Sequence, residues 1–320
     1  MSRVLFWLLL IPCAPCGAQD WRPERAIEIV AGSAAGGAQD RTARAMQRIL
    51  KERNLINVAI NAVNKPGGGG VLSQAYLNQH AGDAHYITVA SPSLLLSQIS
   101  SGGKSDYQSL TPLALLFSEY IVIAVREDSP LKSGRDLVQR LKADPSSVNV
   151  AVATTRGGVQ HVAVGLLAKA SGADVRKLKV VVFNAGSESI TAVLGGHVDI
   201  VSTAAANAAQ QVQAGRLRVL GVAAPHRLEG LYASVPTWKE QGYETVASSW
   251  RSVLAPKGIS AAQTAFWDDT LSRLVKLPEW NEDVKKNHWV NNYLDSKASR
   301  AYFASQTDEL RGVLGDLLAK

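Results

Sequence analysis

Four polar side chains lie in or beside turns of small residues, where they could bind a ligand. Arg156 could pair with a carboxylate through two parallel hydrogen bonds, or it could be a solvated loop arginine. His161 could donate a hydrogen bond to an anion, or it could hydrogen-bond a neighbouring loop. Ser187 could bind through its hydroxyl group or cap its own helix, whereas Asp40 would repel an anion and is favoured as a helix cap. These residue types indicate non-covalent binding of an anion.

The small-residue turns are the elements that would position such side chains. Residues 26–30 are rich in β-branched side chains and predict a buried strand, residues 31–37 are small, and a helical pattern starts at Asp40. A turn of this kind exposes the first N–H groups of the helix, which together with the helix dipole favour a carboxylate. The alternative is an ordinary turn that binds nothing. Similar turns recur at 67–70, 154–158 and 184–187, and this recurrence favours the binding interpretation.

Signals for catalysis, metals and cofactors are lacking in the sequence. The glycines at 67–70 are followed by Val71-Leu72 rather than by the Lys-Ser/Thr of a phosphate-binding loop, and neither Gly-x-Gly-x-x-Gly nor Gly-x-Ser-x-Gly occurs. The six histidines show no metal-ligand spacing, and the nearest pair, His197 and Asp199, is interpreted as structural. The seven tryptophans are interpreted as packing residues rather than as a sugar-stacking site. We therefore predict no catalytic residue, no metal and no cofactor.

The first eighteen residues have the pattern of a secretory signal peptide. Arg3 precedes a short apolar run at 4–11, and the small residues that follow Cys16 offer a cleavage site before Gln19. A lipid anchor at Cys13 or Cys16 is disfavoured, because a proline precedes each cysteine directly. Cleavage would leave 33 basic and 27 acidic residues, a net charge of +6. The basic residues are interspersed with acidic ones, so we expect anionic small ligands and no nucleic-acid partner.

Strand and helix signals alternate through the next two hundred residues. Strands are predicted at 26–30, 58–63, 86–90, 120–125, 148–153, 179–183, 199–202 and 218–222. A helix after Gly70 is predicted to point Leu72, Ala75 and Tyr76 inward, and the segment from 100 to 109 is interpreted as polar and irregular. The last third is predicted to be mainly helical, with helices at 260–277, 278–287 and 296–318. Helices between strands predict parallel pairing, and hence two α/β units with ligand sites at the carboxyl ends of their strands.

Several stretches, taken in order, resemble one family: the Bug-type periplasmic receptors of tripartite tricarboxylate transporters, also called TctC-like substrate-binding proteins. The matching stretches are Gly36-Gly37-Ala38-Gln39-Asp40, Asn64-Lys65-Pro66-Gly67-Gly68-Gly69-Gly70, Leu194-Gly195-Gly196-His197-Val198-Asp199, Ala214-Gly215-Arg216-Leu217-Arg218, Ser234-Val235-Pro236-Thr237-Trp238-Lys239-Glu240-Gln241-Gly242 and Trp250-Arg251-Ser252-Val253-Leu254-Ala255-Pro256. Each stretch is weak alone, but the likeness covers nearly the whole mature chain.

The resemblance implies an α/β, two-lobed periplasmic binding protein fold of type II: two doubly wound sheets, an inter-lobe cleft and two crossing segments. It implies a signal peptide at 1–18, a first lobe at 19–122 and 225–320, and a second lobe at 123–224. It also implies a set of ligand-binding residues in the strand–helix turns. These are Ala35, Gly36, Gly37, Ala38, Asp40, Gly68, Gly69, Ser91, Thr154, Thr155, Arg156, Gly158, His161, Ala185, Gly186 and Ser187.

Two departures from the family pattern concern the ligand. Where the family usually has Pro-Pro before the first Gly-Gly, this chain has Ala34-Ala35. In the second lobe the family pattern is a small residue followed by Gly-Gly-Thr-x-His. This chain has Arg156 in place of the small residue and Val159 in place of the threonine, and it keeps the two glycines and His161. Either Arg156 adds a salt bridge for an extra carboxylate, or it points away and the pocket is less polar.

The function implied by the resemblance is that of a periplasmic, monomeric receptor without enzyme activity. It would capture an organic carboxylate, such as a citrate-like di- or tricarboxylate, and deliver it to integral-membrane permease subunits. A receptor that reports to a sensor kinase is the alternative, because the sequence does not separate transport from signalling. An enzyme on the same fold is disfavoured by the lack of a catalytic constellation.

Overall fold

The structure of the chain is a computed structural model that describes residues 20–100, 107–153 and 155–318. The predicted signal peptide at 1–18 and Gln19 lie outside these described residues. The described chain forms two five-stranded sheets with helices packed on both faces of each sheet. The two-lobed α/β architecture expected from the sequence is confirmed.

Ten strands and ten α-helices alternate along the described residues. The strands are β1 (Ile27–Ala31), β2 (Ile60–Asn64), β3 (Tyr86–Ala90), β4 (Leu110–Phe117), β5 (Ile121–Arg126), β6 (Asn149–Ala153), β7 (Lys179–Phe183), β8 (Ile200–Ala204), β9 (Leu217–Val222) and β10 (Arg251–Pro256). The helices are α1 (Ala38–Glu52), α2 (Val71–Asn78), α3 (Ser93–Ser100), α4 (Gly134–Ala143), α5 (Val159–Ser171), α6 (Gly186–Leu194), α7 (Ala205–Gln213), α8 (Ala261–Leu274), α9 (Pro278–Lys286) and α10 (Ser296–Leu318).

The two sheets share one topology. The first sheet has the order β2-β1-β3-β10-β4 and the second has the order β7-β6-β8-β5-β9. In each sheet the first three strands are parallel, and the fourth is antiparallel to both its neighbours. The prediction of parallel pairing is therefore right for three strands of each sheet and wrong for β5 and β9, whereas β4 and β10 were not predicted as strands. The fourth strands are β10 in the first sheet and β5 in the second. These two strands enter from the opposite half of the molecule rather than through a crossover helix, so nothing imposes a parallel direction on them.

Two crossing segments connect the sheets. The chain leaves β4 at Phe117 and enters β5 at Ile121, and it returns through residues 247–250 to β10. The two crossings pair with each other: Ser249 N–H donates to the carbonyl of Glu119 at 2.7 Å, and Tyr120 forms an antiparallel bridge with Ser248. A pair of short, mutually hydrogen-bonded segments is a structure about which two lobes can hinge.

Three elements are missing from the sequence prediction: the strands β4 and β10 and the helix α3. The strand β4 lies at the edge of the first sheet and contains Pro112, which an edge strand tolerates because one side of its backbone needs no partner. Helix α3 follows β3 directly, at residues for which no helix was predicted. None of the helices in the described part of the chain has the length and apolar character that crossing a membrane requires.

The inward face predicted for α2 is wrong for Leu72 and Ala75 and right for Tyr76, which is partly buried against the core. Leu72 is 56% exposed and Ala75 is exposed, whereas the buried residues of this helix are Ser73, Gln74 and Leu77. Ser73 can be buried because its hydroxyl group donates to the carbonyl of Gly70 at 2.7 Å. The apolar pattern of a two-turn helix is too short to determine its buried face.

The large side chains of the core are mostly aromatic. Trp238, Trp250, Trp267 and Trp280 are buried, which agrees with their interpretation as packing residues. Trp250 makes an edge contact with Phe303 of α10, with ring centroids 4.9 Å apart. Such packing anchors the C-terminal helix at the junction between the sheets.

Helix α10 is the element that contacts both halves. Its predicted apolar face is confirmed, since Phe303, Thr307, Leu310, Leu314 and Leu317 are all buried. It packs on β4 and α3 of the first half and on α5 of the second half. The contact with α5 is close, because a Cβ atom at Gly165 would lie 2.7 Å from Cδ1 of Leu317.

The lobe boundaries at 122/123 and 224/225 stay predictions. Part of the segment 225–246, which the prediction places in the first lobe, packs on the second sheet. The hydroxyl of Tyr232 donates to the carbonyl of Ala205 at 2.6 Å, and Trp238 packs against Gly221 of β9. These contacts favour a boundary nearer the crossing at 247–250.

Candidate functional site

A cavity of about 590 Å³ lies between the two sheets, where β2, β3 and β6 end. It is lined by Gly69, Ser91, Pro92, Ser93, Leu96, Ser97, Ser100, Thr155, Arg156, Gly157, Gly158, Val159, Gln160, Ser249 and Leu318. The residues before 101 follow strands of the first sheet, those from 155 to 160 follow β6, and Ser249 lies in a crossing segment. Carboxyl ends of parallel strands are where α/β sheets bind ligands. This cavity is therefore the candidate binding site.

Two strand–helix turns, one after β1 of the first sheet and one after β6 of the second, have nearly the same backbone. Gly36 and Gly157 have φ angles of 76° and 81°, in the left-handed region that glycine adopts without strain. Each is followed by a glycine N-cap: Gly37 has φ −69° and ψ 166°, and Gly158 has φ −68° and ψ 168°. The Gly-Gly pair is thus required by the geometry of each turn, whether or not the turn binds a ligand.

In the first turn the third residue of the helix is Asp40, and its carboxylate is fully engaged. It accepts hydrogen bonds from the N–H of Gly36 at 2.8 Å, from Nδ2 of Asn64 at 2.9 Å and from Nε of Arg44 at 3.0 Å. Burial alone would raise the pKa of Asp40, but the hydrogen bonds from Arg44, Gly36 and Asn64 outweigh burial and hold that pKa below its usual range. These contacts support the structural role that the sequence favours, and a direct ligand contact stays a prediction.

In the second turn the equivalent residue is His161, which is 2% exposed. Its Nδ1 accepts a hydrogen bond from the N–H of Gly157 at 3.0 Å. Because Nδ1 is the acceptor, the proton of the neutral ring is on Nε2. Burial, with a smaller contribution from the charge of Arg156, lowers the pKa of His161 to about 4. The ring is therefore neutral at physiological pH and supports its own loop, which is one of the two roles considered for it.

Arg156 lies in the wall of the cavity, at the position that Ala35 holds in the first turn. Its side chain is exposed, and no residue in the described ranges accepts a hydrogen bond from its guanidinium group. The described lining residues include no aspartate or glutamate. Arg156 is therefore available to an anion that enters the cavity.

On the opposite wall, hydroxyl groups form a hydrogen-bonded chain. Nε2 of Gln39 donates to Oγ of Ser91 at 3.4 Å, the Oγ atoms of Ser91 and Ser93 lie 2.8 Å apart, and Ser93 donates to the carbonyl of Gly69 at 2.9 Å. Gln39 is the second residue of α1, so these hydrogen bonds link α1 to the cavity. The turn that precedes α1 is not itself part of the lining.

The family of the chain follows from its sequence over most of its length. A family model described as "Tripartite tricarboxylate transporter family receptor" (TctC) matches residues 42–314. The chain belongs to this family. The resemblance drawn from the sequence motifs is confirmed.

Curated relatives of this receptor match it over nearly their whole lengths. The "UPF0065 protein in gbd 5'region" of Cupriavidus necator is 28% identical over 295 residues, which cover 92% of this chain and 88% of the relative. Protein BugT of Bordetella pertussis is 27% identical, with 95% of this chain and 89% of BugT covered. These identities agree with membership of one receptor family.

Solved structures share the fold of this receptor. A TctC solute-binding protein from Polaromonas, without ligand, has a TM-score of 0.81 at 22% identity, covering 92% of this chain and 99% of that one. MatC from Rhodopseudomonas palustris, with bound malate, has a TM-score of 0.67 at 22% identity, covering 93% and 100%. A second R. palustris protein, with adipate, has a TM-score of 0.73 at 17% identity, covering 92% and 98%. All three have the two-lobed fold described above.

The fourth predicted turn of the receptor, at Ala185, Gly186 and Ser187, does not contribute to the described cavity lining. The carboxylate of Glu188 accepts a hydrogen bond from the N–H of Asn184 at 3.1 Å, so an acid already occupies the start of α6. A negative charge at a helix N-terminus is stabilising in itself and competes with an external anion. Ligand contacts at this turn remain a prediction.

The predicted site residues of the receptor fall into three groups. Those in the cavity lining are Gly69, Ser91, Thr155, Arg156 and Gly158. Those outside the lining are Ala35, Gly36, Gly37, Ala38, Asp40, Gly68, His161, Ala185, Gly186 and Ser187. Thr154 lies outside the described residues. The described chain contains no group of three or more histidine, cysteine, aspartate and glutamate side chains that could hold a metal ion.

Ten lining residues are not among the sixteen predicted ones. Four of them, Pro92, Gly157, Val159 and Gln160, adjoin predicted residues in the same turns. The other six are Ser93, Leu96, Ser97, Ser100, Ser249 and Leu318. The three serines of α3 recur at intervals of four and three residues, which places them on one helical face and is the signal that could have identified them. Ser249 and Leu318 carry no local signal, because only the crossing of the chain and the length of α10 bring them to the cavity.

A buried cation lies behind Ser249. Arg251 is 5% exposed, and its NH1 group donates to Oγ of Ser249 at 2.9 Å and to the Ser249 carbonyl at 3.0 Å. Burial raises the pKa of nearby Glu119, and the positive charge of Arg251 opposes that rise. Since Arg251 donates to the Ser249 hydroxyl oxygen, the hydroxyl hydrogen is free to donate elsewhere.

Proposed function

We propose that this receptor captures an organic carboxylate in the cavity between its two sheets and delivers it to the membrane subunits of a tripartite transporter. The proposal includes export to the periplasm by the segment 1–18, a monomeric state, and no enzyme activity. It also includes a division into two lobes, with boundaries at 122/123 and near the crossing at 247–250, and ligand contacts from Gly69, Ser91, Thr155, Arg156 and Gly158, the predicted residues that line the cavity.

The observation that carries this proposal is the available guanidinium group of Arg156 in a cavity whose described lining has no acidic side chain. A guanidinium group pairs with a carboxylate through two parallel hydrogen bonds. Val159 and Gln160 start helix α5 at the same wall, where the first N–H groups of a helix have no acceptor within it. Both features favour an anion over a neutral ligand.

Proteins with the same fold support the choice of a carboxylate. Of the solved structures, MatC is described with bound malate and its R. palustris neighbour with adipate. The cavity volume of about 590 Å³ falls within the range of small-molecule sites, about 300–1,000 Å³. A carboxylate of the size of malate or adipate would leave room in the cavity for ordered water.

Ligand-dependent thermal stability tests the binding function. The purified receptor is heated with each member of a broad panel of mono-, di- and tricarboxylates, and the melting temperature is recorded. A ligand at about 100 times its dissociation constant should stabilise the native state by about 2.7 kcal/mol, because only the folded cavity binds it. The proposal is wrong if no carboxylate in the panel raises the melting temperature.

Uptake by cells tests delivery to a permease. Deletion of the gene for the receptor should abolish uptake of the labelled ligand that the thermal screen identifies, and reintroduction of the gene should restore it. A receptor that only reports to a sensor kinase would leave the uptake rate unchanged when transporter expression is held constant. That result would contradict the transport function and would be compatible with the binding function.

A further inference from the structure

The hydrogen bonds that run from Gln39 through Ser91 and Ser93 to the carbonyl of Gly69 are called the serine chain. Its hydroxyl hydrogens can be assigned by starting from that carbonyl. The carbonyl of Gly69 is an acceptor only, so the hydroxyl hydrogen of Ser93 must point to it. Ser93 then has no hydrogen left for Ser91, and the hydrogen between the two Oγ atoms, 2.8 Å apart, belongs to Ser91. Gln39 donates to the remaining side of Ser91. Each hydroxyl hydrogen in this chain is therefore used within the receptor.

This assignment makes the part of the first-sheet wall formed by Ser91 and Ser93, the acceptor wall, a surface of hydrogen-bond acceptors. A hydroxyl oxygen has two lone pairs, and one of each is used by the donor that precedes it in the chain. The second lone pairs of Ser91 and Ser93, both in the cavity lining, remain for a ligand. A carboxylate placed at the Ser91 and Ser93 oxygens would meet lone pairs, and its loss of hydration there would not be compensated.

The second-sheet wall and the crossing segment have the opposite character. Arg156 contributes a guanidinium group that donates and never accepts. Ser249 accepts from the buried Arg251 at 2.9 Å, so its own hydrogen is available to the cavity. Arg156 and Ser249 can therefore donate hydrogen bonds to an anion, whereas Ser91 and Ser93 accept hydrogen bonds from a ligand.

We infer that the ligand is a hydroxylated monocarboxylate, with its carboxylate at Arg156 and its hydroxyl groups at Ser91 and Ser93. This inference rests on the proposed function and narrows its substrate class. One described cationic side chain in the lining matches one carboxylate. An ammonium group is disfavoured as the donor to Ser91 and Ser93, because the described lining offers it no acidic partner. A second carboxylate is disfavoured at Ser91 and Ser93 by their acceptor lone pairs.

A panel of acids with six carbon atoms tests this inference by isothermal titration calorimetry. Gluconate has one carboxylate and several hydroxyl groups, hexanoate lacks the hydroxyls, adipate and citrate add carboxylates, and 6-aminohexanoate has an ammonium group. Gluconate should bind about tenfold or more tightly than each of the others, because a site built to hydrogen-bond hydroxyls discriminates strongly against ligands that lack them. Adipate, citrate or 6-aminohexanoate binding as tightly as gluconate would overturn the inference.

Two variants test the role of the serine chain. Ser91→Ala removes one acceptor and frees the Gln39 amide to donate, and Ser93→Ala removes the other acceptor and frees the hydroxyl of Ser91. Each should weaken gluconate binding about tenfold and narrow the preference for gluconate over adipate. Ser305→Ala, on the exposed face of α10, is the matched control and should change neither affinity.

The outcomes separate this inference from the proposed function. If both serine variants melt at the wild-type temperature and keep the wild-type preference for gluconate over adipate, the assignment of the acceptor wall is wrong. If a di- or tricarboxylate binds and gluconate does not, the hydroxylated class is wrong and the receptor function stands. If no acid in this panel or in the broader carboxylate screen binds, the receptor function itself fails.

Discussion

The turn before α1 and the turn before α5 have the same backbone and different chemistry. Both place a glycine with positive φ before a glycine N-cap, and in both the third helical residue accepts a hydrogen bond from that first glycine. The acceptor is the charged Asp40 in one turn and the neutral His161 in the other. Only the second turn lies in the cavity lining, where it contributes Arg156.

This difference shows that a shared backbone does not imply a shared function. In the first turn a buried negative charge is satisfied by Arg44, Asn64 and the turn itself, so the turn is stable without a ligand. In the second turn the support is uncharged, and the only charged side chain points to the cavity. The second turn is thus suited to an anion, and the first is suited to holding α1 against the first sheet.

The largest expected effect is that of Arg156 on binding. Arg156→Ala should weaken carboxylate binding by about 2–5 kcal/mol, because the ligand would lose a charge-assisted pair in a partly desolvated cavity. Arg156→Lys should restore only part of the loss, because an ammonium group cannot form two parallel hydrogen bonds. Calorimetric affinities measure both, and the melting temperature of the ligand-free variants is the control. An alanine variant within about 0.5 kcal/mol of the wild type would show that Arg156 is a solvated loop residue.

Asp40 should affect folding rather than binding. Asp40→Ala should lower the free energy of unfolding by about 3–4 kcal/mol, because it leaves the partners of a buried carboxylate unsatisfied. Denaturant unfolding measures this loss. Asp308→Ala, which removes an exposed carboxylate paired with Arg311, should cost less than about 1 kcal/mol. Equal losses in the two variants would contradict the structural role of Asp40.

His161 should make stability depend on pH. The unfolded chain takes up a proton at this side chain near pH 6.5, whereas the folded receptor takes it up only near pH 4. Stability should therefore fall as the pH decreases from 6.5 to 4, by about 3 kcal/mol from this residue. His161→Asn keeps an acceptor near the Nδ1 position and should remove that part of the dependence. His226→Asn, at an exposed site, should leave the dependence of stability on pH as it is in the wild type. Denaturant unfolding of the two variants between pH 4 and pH 6.5 measures the difference.

The smallest expected effect tests whether the two turns are interchangeable. Ala35→Arg places an arginine at the first-turn position equivalent to Arg156, outside the cavity lining. Carboxylate affinity should change by less than about 0.5 kcal/mol, and the substitution should not rescue Arg156→Ala. Restored binding in the double variant would show that the first turn also reaches the ligand.

Local sequence signals predicted most of the fold and part of the site. The Gly-Gly turns and the apolar face of α10 could be predicted, because turn geometry and helical periodicity are local properties. The antiparallel β10 and the edge strand β4 could not, since their pairing depends on where the chain crosses between the sheets. Helix α3 was missed because its apolar residues at 94–96 are consecutive and no charge marks its polar face.

Local sequence patterns also could not show which of the two turns lines the cavity. The turns at 36–37 and 157–158 have nearly identical sequence patterns, and only the relative placement of the sheets brings one into the lining. Ser249 and Leu318 come from segments far away in the sequence. The residues that distinguish the two turns, Ala35 and Arg156, could be identified from the sequence. Arg156, a departure from the family pattern, is the one that lines the cavity.

The packing of α10 on both halves has a consequence for how long a ligand stays bound. Any rotation of one sheet relative to the other must slide Leu317 across Gly165 and move Leu314 away from Gly157. The barrier to opening therefore includes the separation of aliphatic side chains from glycine surfaces, in addition to the loss of polar contacts with the ligand. The residence time of the ligand is then partly a property of the C-terminal helix, and it can be changed without altering any group that touches the ligand.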